Sequence, residues 1–339
     1  MRNRIMVFVV CVAVLASVAV GYTVYALQRD KARAAGGEGV RPVAGAVDLA
    51  PGSGARLIFR DTAKGPGFGR LAQVRVGEPR SERKVDTQAC ERGYAAAGRL
   101  LCLAGVSGLV VHHYAELRDS RMKLLKRIQL PGLPSRARLS ADGRMAAWTA
   151  FVYGDSYTSA GFSTRTGIYD SRTGTVVPTL ETFDVRRDDR DFRPPDRNFW
   201  GVSFLKDDNT FYATLGSASR GGTFLVRGDF GARTMTVLRQ NVECPSLSPD
   251  GTRLVFKKKV SDDPSKPWRL YVLDLASMRE TALAETRSVD DQGDWLDDRT
   301  IAYSLPTGGS AFDVWRQPAD GSGKPQLMVS GAYGPSVVR

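Results

Sequence analysis

Cys244-Pro-Ser-Leu-Ser-Pro-Asp-Gly-Thr-Arg-Leu-Val-Phe256 reads as strand, tight turn, strand. In Pro249-Asp250-Gly251 the proline sets φ, the aspartate bonds nearby backbone and the glycine accepts a positive φ. The apolar run Leu254-Val255-Phe256 then suits a buried strand. Leu139-Ser-Ala-Asp-Gly-Arg-Met-Ala-Ala-Trp148 matches Leu247–Phe256 without a gap, 108 residues earlier. A degenerate copy, Phe204-Leu-Lys-Asp-Asp-Asn-Thr-Phe-Tyr-Ala213, lies between them, and Trp295-Leu-Asp-Asp-Arg-Thr-Ile-Ala-Tyr303 follows, one residue shorter. Tyr94-Ala-Ala-Ala-Gly-Arg-Leu-Leu-Cys-Leu103 and, weakest, Gly52-Ser-Gly-Ala-Arg-Leu-Ile-Phe59 come before. Well-matched turns recur at about 43 to 65 residues, near the spacing of four-stranded propeller blades.

A second motif follows each copy at a similar distance. Ile168-Tyr-Asp-Ser-Arg-Thr-Gly-Thr-Val-Val177 matches Val272-Leu-Asp-Leu-Ala-Ser-Met-Arg-Glu-Thr281 in kind: strand, short turn after Asp, strand. Phe224-Leu-Val-Arg-Gly-Asp229, Val314-Trp-Arg-Gln-Pro-Ala-Asp-Gly321, Val110-Val-His-His-Tyr114 and Leu71-Ala-Gln-Val-Arg-Val76 occupy the same slot. Six inner and six outer hairpins predict an all-β, six-bladed β-propeller. A seventh, irregular blade around Phe183–Trp200 is the alternative count. Gly334-Pro-Ser-Val-Val338 echoes Cys244-Pro-Ser-Leu-Ser248, so the last strand is expected to complete the first blade and remove an exposed sheet edge.

From Ile5 to Leu27 there are 23 consecutive uncharged positions, roughly 34 Å as a helix, enough to cross a bilayer core of about 30 Å. The expected organisation is an N-terminal transmembrane signal-anchor over 1–28, a juxtamembrane linker over 29–42 and the propeller over 43–339. A cleavable signal has a shorter apolar run, although Ala16-Ser-Val-Ala19 imitates its cleavage site. Lys and Arg flank the span almost evenly; processing logic places the N-terminus inside and the body outside, a single-pass cell-membrane protein.

The net charge of +12 is spread among acids, as in Asp184-Val-Arg-Arg-Asp-Asp-Arg-Asp-Phe-Arg193, and no nucleic-acid module accompanies it. No nucleic-acid partner is therefore expected. Lys257-Lys258-Lys259 reads as a solvated strand end. Of the four cysteines, Cys11 lies in the apolar span and Cys244 looks like a core residue. Cys90 and Cys102 fall on two arms of one hairpin around Ala96-Ala97-Gly98, where they pair as a disulfide in an oxidising compartment or remain two small buried thiols.

Catalytic signatures are missing. His112 and His113, the only histidines, are adjacent on a strand and point to opposite faces. There is no Gly-x-Ser-x-Gly elbow, and Gly321-Ser-Gly-Lys324 lacks the rest of a phosphate loop. The carboxylate clusters Asp188-Asp189-Arg190-Asp191 and Asp290-Asp291-Gln-Gly-Asp294 lack calcium-loop spacing and read as solvated loops. No catalytic residue, metal or cofactor is assigned.

The recurring Leu-Ser-Pro-Asp-Gly-Thr-Arg-Leu-Val-Phe with the following Leu-Tyr-Val-Leu-Asp-Leu resembles the WD-like propeller repeat of the TolB family, most clearly over Leu247–Leu275. The resemblance implies a six-bladed bacterial propeller outside the cytoplasmic membrane that binds protein partners without catalysis. The α/β domain that precedes the propeller of TolB proper has no counterpart here, where a short linker intervenes. The expected function is a tethered, non-catalytic scaffold for an envelope or secreted protein; the alternative is a propeller enzyme of lactonase or glycan lyase type using carboxylates around the channel. Recognition is expected on the long-loop face, through Tyr153, Asp155, Tyr157, Trp200 and Trp268, because long loops with Tyr, Trp and Arg favour binding.

Overall fold

The computed structural model describes residues 6, 15–24, 42–52, 54–80, 82–108, 110–152 and 163–339. Six sheets, antiparallel in their four main strands, follow one another along the chain and close into a ring. The second blade, Arg92–Ala96, Arg99–Val106, His112–Arg118 and Leu124–Gln129, shows the pattern: each strand pairs with the next, from the channel outward. The third blade uses Leu133–Leu139 to Val176–Val177, the fifth Glu243–Leu247 to Glu280–Ala282, and the sixth Asp294–Trp295 to Gln326–Val329.

The repeated turn owes its sequence to one set of bonds. The Ser248 hydroxyl donates to Asp250 Oδ1 at 2.5 Å, and the same oxygen accepts from the Thr252 amide at 2.9 Å. The Arg253 amide donates back to Ser248 Oγ at 3.0 Å. Ser140, Asp142, Arg144 and Met145 repeat all three bonds at 2.6, 2.9 and 3.0 Å. Gly143 and Gly251 take φ of 75° and 77°, where a side chain is strained. The degenerate copies keep the aspartate alone: Asp207 accepts the Asn209 and Thr210 amides, and Asp297 that of Arg299.

Ring closure follows the sequence expectation. Ala332–Val338 is the inner strand of the first blade, antiparallel to Arg56–Asp61. That explains why the first copy of the motif is weak: its inner arm comes from the other end of the chain. Ser336 sits at the joint, accepting the Ala95 amide of the second blade at 3.2 Å. Pro42–Ala44, placed partly in the expected linker, instead adds a strand to the outer edge of this blade, parallel to Arg83–Ala89. Val47 and Leu49 just beyond it are buried.

The region that could have made a seventh blade, the alternative count, does not form one, and the expected six stands. Asp184–Arg187 and Arg190–Asp191 extend the fourth blade outward, the first running parallel to Thr234–Gln240. Val185 and Phe183 are buried against Phe211 and Phe224, so this insertion shares the fourth blade's core rather than building its own. Asp188 and Asp189 sit at its exposed hairpin tip with φ of 50° and 58°.

Residues 15–24 are helical and exposed, and among the described residues no helix is long and apolar enough to cross a membrane. The rest of the 5–27 span apart from Met6 lies outside the described residues, as do linker residues 29–41.

Candidate functional site in the central channel

The inner strands pack against one another around the ring and leave a channel that is pinched at its middle. Arg138 of the third blade reaches across to Asp294 of the sixth at 2.8 Å and to the Tyr94 hydroxyl of the second at 2.9 Å. Its guanidinium lies 4.4 Å from the Tyr94 ring centre. Arg92 pairs with Asp291 at 3.1 Å and lies 4.0 Å over the Tyr333 ring. Only about 30 Å³ of space remains at this waist. Burial pushes the Tyr94 hydroxyl up to about 12 and lowers Arg92 to about 10, with Asp291 opposing the latter shift. Buried pairs of this kind fix geometry more than they add stability.

A funnel opens on either side of the waist. The lower one, about 550 Å³, lies among the Ser-x-Asp-Gly turns. The upper one, about 760 Å³, opens between the loops that join second and third strands. Its floor sets Arg92, Arg136 and Lys257 against Glu243, Asp290 and Asp291. Lys257 Nζ is 2.5 Å from Asp290 Oδ1 and 3.5 Å from Glu243 Oε2, and 4.4 Å over the Trp268 ring. Burial works against the Lys257 charge, but Cys244, Asp290 and Glu243 outweigh it and hold the ammonium above its ordinary value. Burial raises Glu243 in spite of Lys257. Above this neutralised floor the wall is aromatic, with Phe151, Trp200, Trp268 and Phe312.

Trp200 and Trp268, far apart in sequence, thus come to one funnel. Trp200 sits on the inner strand of the fourth blade with its ring over Gly216, where a Cβ would meet ring atoms at 2.5 Å. Trp268 opens the third strand of the fifth blade, and its amide donates to Ser288 Oγ at 3.2 Å. Tyr153, Asp155 and Tyr157 lie outside the described residues. Cys90 and Cys102 are joined in a disulfide with a Cα separation of 5.4 Å. His112 and His113 are placed on the second blade's third strand, where His113 Nε2 is 3.3 Å from Glu91 Oε1.

Two readings from the sequence need correction. Asp291 and Asp294 are not solvated loop carboxylates; both are buried in the channel wall against arginines. Lys257 is not a solvated strand end, since it is buried on the funnel floor. Cys244 is buried, as expected of a core residue, and is the one free cysteine among the described residues. One signal could have found part of this set. Arg136 and Cys244 hold the same position of the repeat, three residues before Leu139 and Leu247, and that position faces the channel in both blades.

No family model matches the chain, and no curated protein does. Among solved structures, TolB from Acinetobacter baumannii superimposes on 86% of this chain and 67% of its own, with a TM-score of 0.58 and 16% identity. The fold is that of a TolB-like six-bladed propeller. A puromycin-hydrolysing peptidase of Mycobacterium tuberculosis aligns over 88% of this chain but 46% of its own, with a TM-score of 0.50 and 14% identity. A putative TolB from Agrobacterium tumefaciens covers 84% of this chain and 92% of its own, at 0.49 and 11%. At such identities the likeness is one of fold alone. Among the described residues, no group of three or more His, Cys, Asp or Glu is placed to hold a metal ion.

Proposed function

We propose that this chain is a membrane-tethered, extracytoplasmic propeller that binds an envelope or secreted protein through its upper funnel and catalyses no reaction on it. One observation carries the reading: an aromatic wall of Trp200, Trp268 and Phe312 stands over a floor whose carboxylates are each met by a cation. Such a site offers apolar area and fixed polar anchors, the composition of a recognition surface. A hydrolytic site needs an acid or base held ready for a proton, whereas Asp290 and Asp291 are engaged by Lys257 and Arg92. The uncharged run from Ile5 to Leu27 supports the tether, and the Cys90–Cys102 disulfide suits an oxidising compartment.

The test is capture from detergent-solubilised membranes with Trp200→Ala and Trp268→Ala beside the parent. Truncating an aromatic anchor at an interface typically costs at least about 2 kcal/mol, roughly thirtyfold in affinity. Loss of the same captured protein in both variants, with unchanged thermal midpoints, is the expected outcome. Unchanged capture in both sinks the upper-funnel reading. The enzyme alternative keeps one supporting observation, the gathering of Glu243, Asp290, Asp291 and Asp294 around the channel. Calcium or zinc retained in equimolar amount by the purified protein would favour it.

A further inference from the structure

The outer edges of the blades differ sharply in charge. In each blade a turn on the lower face joins the third strand to the fourth. The ten residues that begin with the last of the third strand can be compared. In the second blade, Arg118–Arg127, they carry five cations and one acid; in the first, Arg75–Lys84, four cations and two acids. The corresponding stretches of the third, fourth and sixth blades each hold one cation and one acid, and that of the fifth, from Asp274, one cation and two acids. Positive charge is therefore gathered on two neighbouring blades, most of all on the second. There Glu116 engages Arg118 at 2.5 Å and Arg127 at 2.7 Å, which leaves Arg121, Lys123 and Lys126 with no ion pair among the described residues. Asp119, the acid of the turn, is tied to the backbone through the Arg121 and Lys123 amides, both at 2.9 Å.

The same edge presents bare apolar side chains between its cations. Leu124 and Leu125 are 38% and 47% exposed. Arg118 pairs with Leu124 and Leu117 with Lys126, so Leu125 is the extra residue of a β-bulge, a device that re-aims a side chain at a sheet edge. Apolar groups set among cations suit a bilayer interface, where the first enter the acyl boundary and the second meet phosphates. The path of the chain brings this edge to the membrane, and here the inference rests on the tether proposed above. Pro42 pairs with Arg83, just past the lower outer turn of the first blade. Val47 and Leu49 share a cluster with Met122 from the turn of the second. A Cβ on Gly98 would lie 3.8 Å from both Leu49 O and Ser120 Cβ. Between Leu27, the end of the apolar run, and Pro42 the chain can reach at most roughly 50 Å. The two most basic edges are thus the two beside which the chain enters the body.

We propose that the lower outer edge of the second blade, from Arg121 to Lys126, docks on an anionic lipid leaflet and holds the ring with its upper funnel turned away from the bilayer. Headgroup phosphates meet Arg121, Lys123 and Lys126, while Leu124 and Leu125 enter the interface. The tether supplies nearness to the membrane, and this edge supplies orientation. Contacts of this kind are weakened by salt, because exposed charges are screened.

The experiment places the full-length chain, with Leu125 replaced by photoreactive benzoylphenylalanine, in vesicles of phosphatidylcholine alone or with about a quarter of phosphatidylglycerol, the anionic component. Retention through an alkaline wash checks the tether in both. On illumination, lipid should add at residue 125, read by peptide mass, about fivefold or more above the neutral vesicles, the weight of one cation at an anionic surface. The same photoreactive residue in place of Val110, 65% exposed on the upper face, should add no lipid. Lys123→Glu with Lys126→Glu should erase the difference, and so should about 0.5 M salt, which decides the matter even if that variant misfolds. Equal addition at 125 in both vesicles, or addition at 110 as strong as at 125, overturns the docking with the tether intact. A polypeptide cross-linked at 125 in native membranes in place of lipid also overturns it. Loss of the chain in the alkaline wash is a failure of the tether instead. The vesicles are then added to the chain from outside, where lipid-selective addition at 125 upholds the docking and its absence overturns it.

Discussion

Asp250 and Asp142 do the same work 108 residues apart, each collecting a serine hydroxyl and a downstream amide. Burial works against the Asp250 charge, but Ser248 and Thr252 outweigh it and hold the carboxyl far below its ordinary range. Asp250→Ala is expected to cost about 1–2 kcal/mol in urea unfolding, the scale of a lost turn bond, while leaving partner capture intact. Asp196 extends the logic to the loop face. It accepts the Ser217 and Ser219 hydroxyls at 2.7 and 2.6 Å and the Ser219 amide at 2.8 Å. Burial opposes its charge, yet these bonds hold its carboxyl at about 2. Because the folded value lies below that of an unfolded aspartate, about 3.9, the unfolded chain takes up the proton first. The stability Asp196 supplies is full above about pH 4 and fades as pH falls toward 2. Asp196→Asn should be less stable than the parent at pH 7 and differ from it much less near pH 2.5, measured by denaturant titration.

At the scale of elements, the two ends of the folded body make unequal contributions. Ala332–Val338 supplies an entire inner strand, and without it the first blade exposes an unpaired edge beside the channel. Removing residues 332–339 should abolish the cooperative thermal transition or yield oligomers on gel filtration; a monomer with a near-parental midpoint would show that this closure is dispensable. The beginning is graded. Starting the chain at residue 45 should leave the midpoint nearly unchanged, because the strand it removes, Pro42–Ala44, is exposed. Starting at residue 51 removes Val47 and Leu49, which are 2% and 0% exposed, at about 1.5–3 kcal/mol each. The second blade carries its own cross-link. Opening Cys90–Cys102 by replacing both with alanine should lower stability by about 3 kcal/mol, from the entropy of closing a loop of 12 residues.

For the whole molecule, the ring separates two faces that can be tested separately. The lower face is built of closed turns, and the upper face carries the aromatic funnel. Loop-side substitutions should weaken capture with little loss of stability, and turn-side substitutions should do the reverse. Topology gives a further expectation. If the apolar N-terminal span anchors the chain with its body outside, protease added to intact, wall-stripped cells should destroy the propeller and leave a small membrane-bound stub. Complete protection of the body would place it on the cytoplasmic side and remove the envelope reading.

The Ser-x-Asp-Gly turns and their spacing pointed to six blades with a seventh as the alternative, and the echo of Cys244–Ser248 in Gly334–Val338 pointed to ring closure. Each hairpin is local: its hydrogen bonds fall within five residues of one another, so the sequence of one turn specifies one turn. The Phe183–Trp200 insertion was ambiguous for the same reason. Its strand-forming residues are visible, but a parallel pairing to Thr234–Gln240 depends on a partner some fifty residues on, to which no local signal points. The ion pairs of the channel belong to tertiary structure. Lys257 meets Asp290, Arg92 meets Asp291 and Arg138 meets Asp294 across 33, 199 and 156 residues. In sequence, each of these residues is one charge among many on a basic chain. Closure of the ring brings these pairs together and takes Lys257, Arg138, Asp291 and Asp294 out of water while Asp290 stays exposed, and it makes pairing obligatory for the buried ones, because an unpaired buried charge is far costlier than an exposed one.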